Sequence, residues 1–319
     1  MTDQNTITPP AAEPPKSVWQ RLIDNDVFFA YRRSPVTIIA SLVALTLILM
    51  AVLAPWLAPY TPFVPSTIEL MDGFTAPGAE SFSGNIYPLG TDDQGRDLLS
   101  TIMYGSRVSL FVGFTATLFA MVLGISLGLA AGYRGGFVDA LIMRIADVQL
   151  SFPAILIALL IFGVAQGLIP PDKQQNTAVW VLILAIGLSN WAQFARTVRG
   201  TTMVERQKDY VSAARLLGRN PIAIVTKHVL PNVLGPVLVI ATISLALAII
   251  EEATLSFLGV GVPPTQPSLG TLIRIGQRFL FSGEWWILAF PAITLILLAL
   301  SVNLLGDWLR DALNPRLRK

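Results

Sequence analysis

The sequence contains no cysteine and a single histidine, His228. The first absence excludes disulfide bonds and thiolate metal sites, and the second leaves too little for a histidine metal centre or a catalytic triad. A Gly-x4-Gly-Lys-Ser/Thr phosphate loop is also missing, so the chain cannot be an ATPase of that kind. We therefore predict no catalytic residues, no metal site, no cofactor bound by this chain and no nucleic-acid partner.

Charged residues are scarce as well, at 13% of the chain, whereas hydrophobic residues make up 53% of the 319 positions. A soluble domain of this size could not bury that much apolar surface, so lipid must cover much of it. The composition predicts an all-α, polytopic transmembrane bundle. Windows of about 19 residues place six spans at 36–58, 108–132, 148–169, 178–194, 233–250 and 285–305.

The distribution of lysine and arginine predicts the orientation. With both termini in the cytoplasm, all but five of the 22 basic residues fall on the inner side. The five exceptions are Arg96, Arg107, Lys173, Arg274 and Arg278. This is the bias that the positive-inside rule describes, so we predict a cytoplasmic N-terminus and a cytoplasmic C-terminus.

The segments between the spans divide the chain further. Residues 1–35 are predicted to be a cytoplasmic tail, in which 17–30 form either a short amphipathic helix on the membrane surface or a loosely ordered lead-in. Residues 59–107 follow the first span as a long extracytoplasmic segment that folds back over the outer mouth. Residues 108–305 form the transmembrane core, which includes the cytoplasmic loop 196–231, and 306–319 a second cytoplasmic tail.

Two features inside the spans suggest particular roles. Gly124, Gly128 and Gly132 recur every four residues and give one helix face without side chains, which favours close helix packing over lining a pathway. Glu251 and Glu252 end the fifth span. Such acids face water, cap a re-entrant segment, or take part in a gate or a proton relay.

The inner segment 196–231, here called the basic loop, is the most informative part of the sequence. It is far longer than the 2–8 residues typical of connections in helix bundles and carries seven basic residues. Val211, Ala214 and Leu217 share one face of a predicted helix, and Gly218 stands where a helix prefers to stop. Asn220 and Pro221 then open a second helix. A helix–Gly–helix element of this kind is suited to contact a cytoplasmic protein.

The same loop resembles that of permease subunits of ATP-binding-cassette importers. Those carry Glu-Ala-Ala, three residues, Gly, nine residues, Ile, one residue and Leu-Pro. The matching positions here are Ser212, Ala213 and Ala214, then Gly218, His228, Leu230 and Pro231. Ser212 and His228 depart from that pattern, but a histidine at this place, preceded by Asp209, Tyr210 and Val211, resembles the peptide-importer branch.

Four further segments resemble the same branch, the second permease of the dipeptide and oligopeptide (peptide/nickel) importers. They are Leu89–Asp92 with Gly95, Arg96 and Asp97; Tyr104, Gly105 and Arg107; Met143, Arg144, Asp147 and 151–153; and Glu252, Ala253 and 255–259. The resemblance implies a type I importer permease in a bacterial inner membrane. Its implied partners are a sister permease, two ATPase subunits that bind ATP and Mg, and an extracytoplasmic substrate-binding protein.

Specific roles follow from that resemblance. Asp209, Tyr210, Ala213, Ala214, Gly218, His228, Leu230 and Pro231 would couple the chain to an ATPase subunit, with the small face of Ala213 and Ala214 seated in a groove. Asp92, Gly95, Arg96, Asp97 and Glu252 are our candidates for docking the binding protein or forming a gate.

The function expected is import of short peptides. The same machinery could instead carry a nickel chelate, glutathione or a sugar, because selectivity lies largely in the separate binding protein. An ion-coupled secondary transporter is the less favoured alternative, since it would need charges in the middle of the spans, which are nearly absent. An intramembrane enzyme would need a nucleophile–base pair or a metal cluster.

Overall fold

A computed structural model describes residues 31–64, 68–263 and 265–313. Their architecture is helical, with isolated β-bridges as the only extended pairing in the described ranges. The helices are α1 (Pro35–Val52), α2 (Ala54–Leu57), α3 (Leu98–Arg134), α4 (Gly136–Leu150), α5 (Ala154–Leu168), α6 (Pro171–Glu205), α7 (Asp209–Leu216), α8 (Pro221–Ile224), α9 (Leu230–Phe257), α10 (Leu269–Gln277) and α11 (Trp286–Leu313). The segment predicted as an amphipathic helix, 17–30, and the end of the C-terminal tail lie outside the described residues.

Helices α3 and α6 form the central pair of the bundle. The three glycines of α3 lie against α6: a Cβ atom at Gly124 would lie 2.4 Å from Cβ of Phe194, and one at Gly128 would lie 2.6 Å from the Ala195 carbonyl oxygen. At Gly132 the nearest atom would be Cβ of Thr202, at 2.7 Å. These separations are shorter than any real Cβ tolerates, so only glycine permits this approach.

Helix α1 packs on α11 and α3 at the edge of the bundle. Its outward side chains are apolar and exposed, among them Ile39, Leu42 and Leu45, at 62%, 59% and 54%. In water such a surface would drive aggregation, whereas in a bilayer it contacts lipid tails. The described residues contain five helices long and apolar enough to cross a membrane, or six if one bent pair forms a span.

The bent pair corrects one predicted span. We expected a single helix over 148–169, but α4 and α5 meet there at an angle of 98°. Ser151 caps the end of α4, and α5 begins immediately after Pro153. Proline has no N–H to donate and disfavours helical backbone in the residue before it, so a continuous helix is broken at this point.

Helix α3 connects the two parts of the molecule that matter most for function. It has 37 residues, which correspond to about 55 Å of helix. Residues 68–97, here called the cap segment, precede its first turn, and the basic loop packs against its last turn. The outer segment and the basic loop were both predicted to be longer than they are. Helix α3 begins at Leu98, inside the predicted outer segment, and α6 continues to Glu205, inside the predicted basic loop.

Candidate functional site

The basic loop folds as a short helix, a glycine stop and a second helix. Helix α7 begins at Asp209 and ends at Leu216, and Gly218 follows with φ of +70°. The Gly218 N–H donates to the Arg215 carbonyl and the Arg219 N–H to the Ala214 carbonyl, which is the Schellman arrangement. Asn220 then caps α8, its side chain accepting from the Ile222 N–H at 2.9 Å. The predicted stop at Gly218 and the predicted start at Asn220 are therefore confirmed, although α7 ends one residue sooner than expected, at Leu216.

The two faces of α7 differ from the prediction. Val211 and Ala214 are buried and pack in one cluster with Ile224, Val229 and residues of α3 and α6. Ala213 is exposed. The two alanines therefore do not form one partner-facing surface, because adjacent helical positions point about 100° apart. The small-residue face predicted for a partner groove is wrong as far as Ala214 is concerned.

The outward surface of the loop is instead made by larger apolar side chains. Leu216, Leu217 and Ile222 are 90%, 80% and 72% exposed. Leu217 was predicted to share a helix face with Val211 and Ala214, but α7 ends at Leu216 and the backbone turns away at Gly218. Two leucines and an isoleucine held out at the end of a bundle form a surface suited to burial by another protein.

Glu205, which the sequence did not bring to our attention, organises the start of the loop. Its carboxylate is buried and accepts hydrogen bonds from Tyr210 Oη at 2.5 Å and from Lys208 Nζ at 2.6 Å. Burial and the neighbouring Glu205 carboxylate raise the pKa of Tyr210 to about 12, so the phenol donates at physiological pH. The sequence signal for Glu205 is weak, because it is one of two acids, with Asp209, among many basic residues.

Arginines join the loop to the end of α3. Arg206 Nη1 donates to the Gly132 carbonyl at 2.9 Å, and the Arg215 guanidinium lies 5.3 Å from the centre of the Tyr133 ring. Carbonyls at a helix C-terminus lack hydrogen-bond partners within the helix and carry partial negative charge. A guanidinium supplies both a hydrogen-bond donor and a compensating positive charge. These two contacts hold the loop against the last turn of α3.

The remaining predicted loop residues lie on the return to the membrane. His228 is exposed, its ring 6.4 Å from the ring of Tyr210, and its carbonyl accepts from Asn232 Nδ2 at 2.7 Å. Leu230 and Pro231 open α9. His228 thus lies beside Tyr210 on the outer surface of the loop, while Leu230 and Pro231 set the direction of the next span.

At the other end of α3, a buried carboxylate holds the cap segment together. Asp72 has no exposed surface and accepts from both the backbone N–H and the hydroxyl of Ser83, and from Tyr87 Oη at 2.9 Å. Burial raises the pKa of Asp72, but these hydrogen bonds outweigh it and lower the pKa below the ordinary value of 3.8. Asp72 was not singled out in the sequence, where it is one acid among several.

The cap residues predicted to dock a binding protein are buried. Asp92 binds the Arg96 side chain at 2.6 Å, and both are at most 5% exposed. Asp97 caps α3, accepting from the Ser100 N–H at 2.8 Å. Gly95 has φ of +76°, and a Cβ there would lie 2.1 Å from the Glu69 carbonyl oxygen. These four residues are buried inside the cap and stabilise it. They are therefore not accessible for direct contact with another protein.

Glu252 is buried too, and it joins three helices. Its carboxylate accepts from Ser109 Oγ of α3 at 2.6 Å and from Ser256 Oγ of α9 at 2.7 Å. The Ser109 oxygen also accepts from the Leu269 N–H, at the start of α10. Exposure to water, one of the alternatives for this acid, does not occur in the described structure. The arrangement fixes α10, the short helix between the last two spans.

Together, the apolar spans and an exposed apolar loop surface anchored to the ends of α3 and α6 define a multi-span membrane protein with a surface suited to a partner. The chain belongs to the family of binding-protein-dependent transport system inner membrane components, whose model matches residues 124–319. A second model, the N-terminal TM domain of oligopeptide transport permease C, matches residues 16–77. The protein is accordingly a multi-pass inner-membrane permease subunit of an ABC importer.

Relatives cover most of the chain. A Brucella suis protein named as a putative peptide transport system permease is 40% identical over 274 residues, 86% of each chain. The dipeptide transport system permease protein DppC of Haemophilus influenzae is 35% identical over 295 residues, 92% of this chain and 95% of its own. The family resemblance inferred from the sequence is thereby confirmed.

Solved structures show the same fold. The inward-facing MetNI methionine ABC transporter matches with a TM-score of 0.51 at 20% identity, covering 67% of this chain and 96% of the matched chain. At that identity the match concerns the fold alone. It agrees with the predicted all-α membrane bundle.

Proposed function

We propose that this chain is the second permease of an importer for short peptides and forms the membrane pathway together with a sister permease. The observation that carries the proposal is the similarity to peptide and dipeptide permeases along nearly the whole chain, including both ends of α3. The chain itself performs no chemistry in this scheme. Two partner ATPase subunits bind ATP and Mg, and an extracytoplasmic binding protein delivers the peptide.

The proposed ATPase contact is the exposed apolar surface of Leu216, Leu217 and Ile222, with both chain termini on the same, cytoplasmic side. Closure of the ATPases would push α7, and the bonds of Arg206 to the end of α3 would carry the movement into the spans. Support comes from exposure: these three apolar side chains are bare, while the apolar Val211 and Ala214 of α7 are buried in the chain's own bundle.

Replacement of one exposed leucine tests this contact. Leu217→Asp should leave insertion and the fold intact, because the side chain is 80% exposed. It should weaken ATPase association about tenfold or more, since a leucine buried at an interface contributes about 1.5–3 kcal/mol. Co-purification of the ATPase subunits and transport-coupled ATP hydrolysis measure the effect, with Leu217→Ile as the matched control. Full coupling in the Asp variant would contradict the proposed contact.

For the binding protein we propose the outer surface of the cap segment. Its exposed apolar side chains include Leu70, Met71 and Phe82, at 75%, 69% and 79%. Leu70→Asp should weaken association of the binding protein while Asp72 and its partners keep the cap folded. An unchanged affinity for purified binding protein would contradict this docking site.

Uptake of labelled di- and tripeptides by cells with and without this chain tests the function as a whole. Loss of ATP-dependent uptake on deletion is the expected result, and ATP depletion serves as the control. Unchanged peptide uptake would reject the peptide substrate, and the same cells would then be tested with nickel chelates, glutathione and sugars. Uptake that follows an ion gradient and ignores ATP would favour a secondary transporter.

A further inference from the structure

Among the described residues, the tryptophans differ sharply in their surroundings. Trp191 and Trp286 are at most 9% exposed, and each indole N–H has an acceptor within 3.2 Å. Trp56 and Trp285 are 78% and 53% exposed, and neither indole N–H has an acceptor among those residues. Trp180 is exposed as well, but it lies inside α6. The indole donors of Trp56 and Trp285 are therefore left for a group outside this chain.

Both tryptophans end an exposed apolar stripe on one of two neighbouring helices. The first stripe runs along α1 and α2 and consists of Leu45, Leu49, Val52 and Trp56. The second runs along α11 and consists of Trp285, Ile293, Ile296 and Leu300. The residues of each stripe recur at helical spacing and so share one helix face. Because α1 packs on α11, the two stripes belong to adjacent parts of the bundle surface.

The two stripes end at the same level, beside the first turn of α3. The N–H of Tyr60, four residues after Trp56, donates to a serine hydroxyl of that turn at 3.1 Å. The indole of Trp286, the neighbour of Trp285, donates to the Thr91 carbonyl. Thr91 in turn forms a β-bridge with the N-cap residue of α3. Two helices that run in opposite directions therefore finish their apolar stripes at the cap end of the bundle.

The surroundings of this level favour lipid as the outside group. Leucine, isoleucine and valine along the stripes are suited to lipid tails. Indole combines an apolar ring with one N–H donor, and tryptophan is accordingly enriched where hydrocarbon meets headgroups. A docked protein would have to bring an acceptor to each of two helices. Phospholipid ester carbonyls and phosphates, by contrast, surround a membrane protein wherever its spans end.

We propose that Trp56 and Trp285 bind the ester carbonyl and phosphate oxygens of phospholipids. They mark the boundary between hydrocarbon and headgroups on the side of the cap segment. Leu45, eleven residues before Trp56 on the same stripe, then lies about 16 Å deeper in the hydrocarbon. The cap segment lies beyond the boundary. The proposal depends on the membrane nature of the chain and is independent of the solute that it transports.

The first test measures depth in the bilayer. The chain has no cysteine, so single cysteine variants carry one nitroxide label each, in a complete transporter whose other subunits are freed of cysteine. In liposomes of phosphatidylethanolamine and phosphatidylglycerol, collision with oxygen reports hydrocarbon and collision with chromium oxalate reports water. We expect Trp56→Cys and Trp285→Cys to agree in depth within about one helical turn, and Leu45→Cys to lie about 16 Å deeper. Glu80→Cys, exposed in the cap, is the aqueous control.

The second test asks whether the indoles themselves touch lipid. Lipids brominated near the headgroup should quench tryptophan fluorescence of the transporter more than lipids brominated at the chain ends. Trp56→Phe and Trp285→Phe should each remove part of that difference, since both rings are exposed. Trp286→Phe is the matched control, because the neighbouring ring is buried and bound to Thr91. It should leave the difference unchanged.

Each other outcome overturns the proposal in a recognisable way. Weak collision with both reagents at either label would show that a protein subunit covers the site. Chromium oxalate collision as strong as in Glu80→Cys would place the tryptophans in water. Depths equal to that of Leu45→Cys would place the boundary further along both helices. Quenching that is the same in wild type and both Phe variants would show that the indoles do not touch lipid.

Discussion

The cap segment and the basic loop lie at opposite ends of the same long helix and are held by different forces. In the cap, buried polar groups satisfy one another: Asp72 with Ser83 and Tyr87, and Asp92 with Arg96. In the basic loop, a few buried apolar side chains and two arginines hold α7 to the bundle, while its leucines stay bare. Both ends leave apolar side chains exposed, so the difference lies in what holds each one together: paired polar groups in the cap, and apolar packing with arginine contacts in the loop.

One device is nevertheless common to both ends. Tyr87 donates to the buried Asp72, and Tyr210 donates to the buried Glu205. A phenol that donates to a buried carboxylate fixes one chain segment against another without adding net charge to that contact. The two ends share this contact and differ in the other interactions that hold them. The following changes test those interactions one at a time.

The largest effect is expected from separating α3 and α6, on which both ends depend. In Gly128→Leu the new Cβ would lie 2.6 Å from the Ala195 carbonyl oxygen, and overpacking of this kind costs about 3 kcal/mol. Thermal unfolding in detergent should show a large loss of stability. Gly163→Leu is the matched control, since no atom lies within 4 Å of a Cβ there. Equal stability of the two variants would contradict the packing described.

A smaller effect, confined to the cap, is expected from Asp72→Ala. Its loss leaves the buried Tyr87 hydroxyl without this acceptor and removes both hydrogen bonds from Ser83, at a cost of roughly 3 kcal/mol in local stability. Limited proteolysis should cut within 68–97 sooner, while association of the ATPase subunits at the other end stays normal. Glu80→Ala, at an exposed position, is the control. If ATPase binding falls with cap stability, the two ends are not independent.

Gly218→Ala should disturb only the basic loop, and by less. The position has φ of +70° with no atom within 4 Å of a Cβ, so the cost is backbone strain alone, about 1 kcal/mol. Transport-coupled ATP hydrolysis should fall slightly with the fold intact. Gly200→Ala, in α6 with equal free space, should show no such loss. Equal coupling of ATP hydrolysis in Gly218→Ala and wild type would show that a glycine is not required at this position for coupling.

The smallest effects are those of pH. The pKa of both Tyr87 and Tyr210 is raised to about 12 from an ordinary 10. A raised folded-state pKa contributes stability that is present below pH 10 and is lost as the pH rises to 12. Absorbance titration should show two late-ionising tyrosines, one lost in Tyr87→Phe and the other in Tyr210→Phe. Ionisation of either near pH 10 would contradict its bond to a carboxylate.

Low pH should test the carboxylate that holds the cap. Because the pKa of Asp72 is lowered below 3.8, its stabilisation of the cap is present above that value and is lost as the pH falls through the lowered pKa. Proteolysis of the cap with an acid protease should therefore accelerate only below about pH 4, and Asp72→Asn should remove this dependence. Acceleration in both proteins would assign it to another group.

Much of the fold could be predicted from the sequence, because lipid-facing helices must be long and apolar and the glycine and proline signals are local. Six apolar runs, the stop at Gly218 and the start at Asn220 follow from composition and spacing. The bend at Pro153 was missed because hydropathy averages over the break. The role of Leu217 was misjudged because the helix was expected to continue one residue further than it does. The role of Ala214 was misjudged because spacing does not show which helix face packs on the bundle.

Sequence alone thus determined the class of protein, its membrane nature and the position of the basic loop, since each depends on residue type and local spacing. Tertiary structure decided which acids are buried, which partners they have, and which side chains stay bare. Glu251 and Glu252 are neighbours with the same chemistry, yet one is enclosed by serines of α3 and α9 and the other faces outward beside Asn190. That difference arises from the rotation of α9 against two other helices, which only long-range packing fixes.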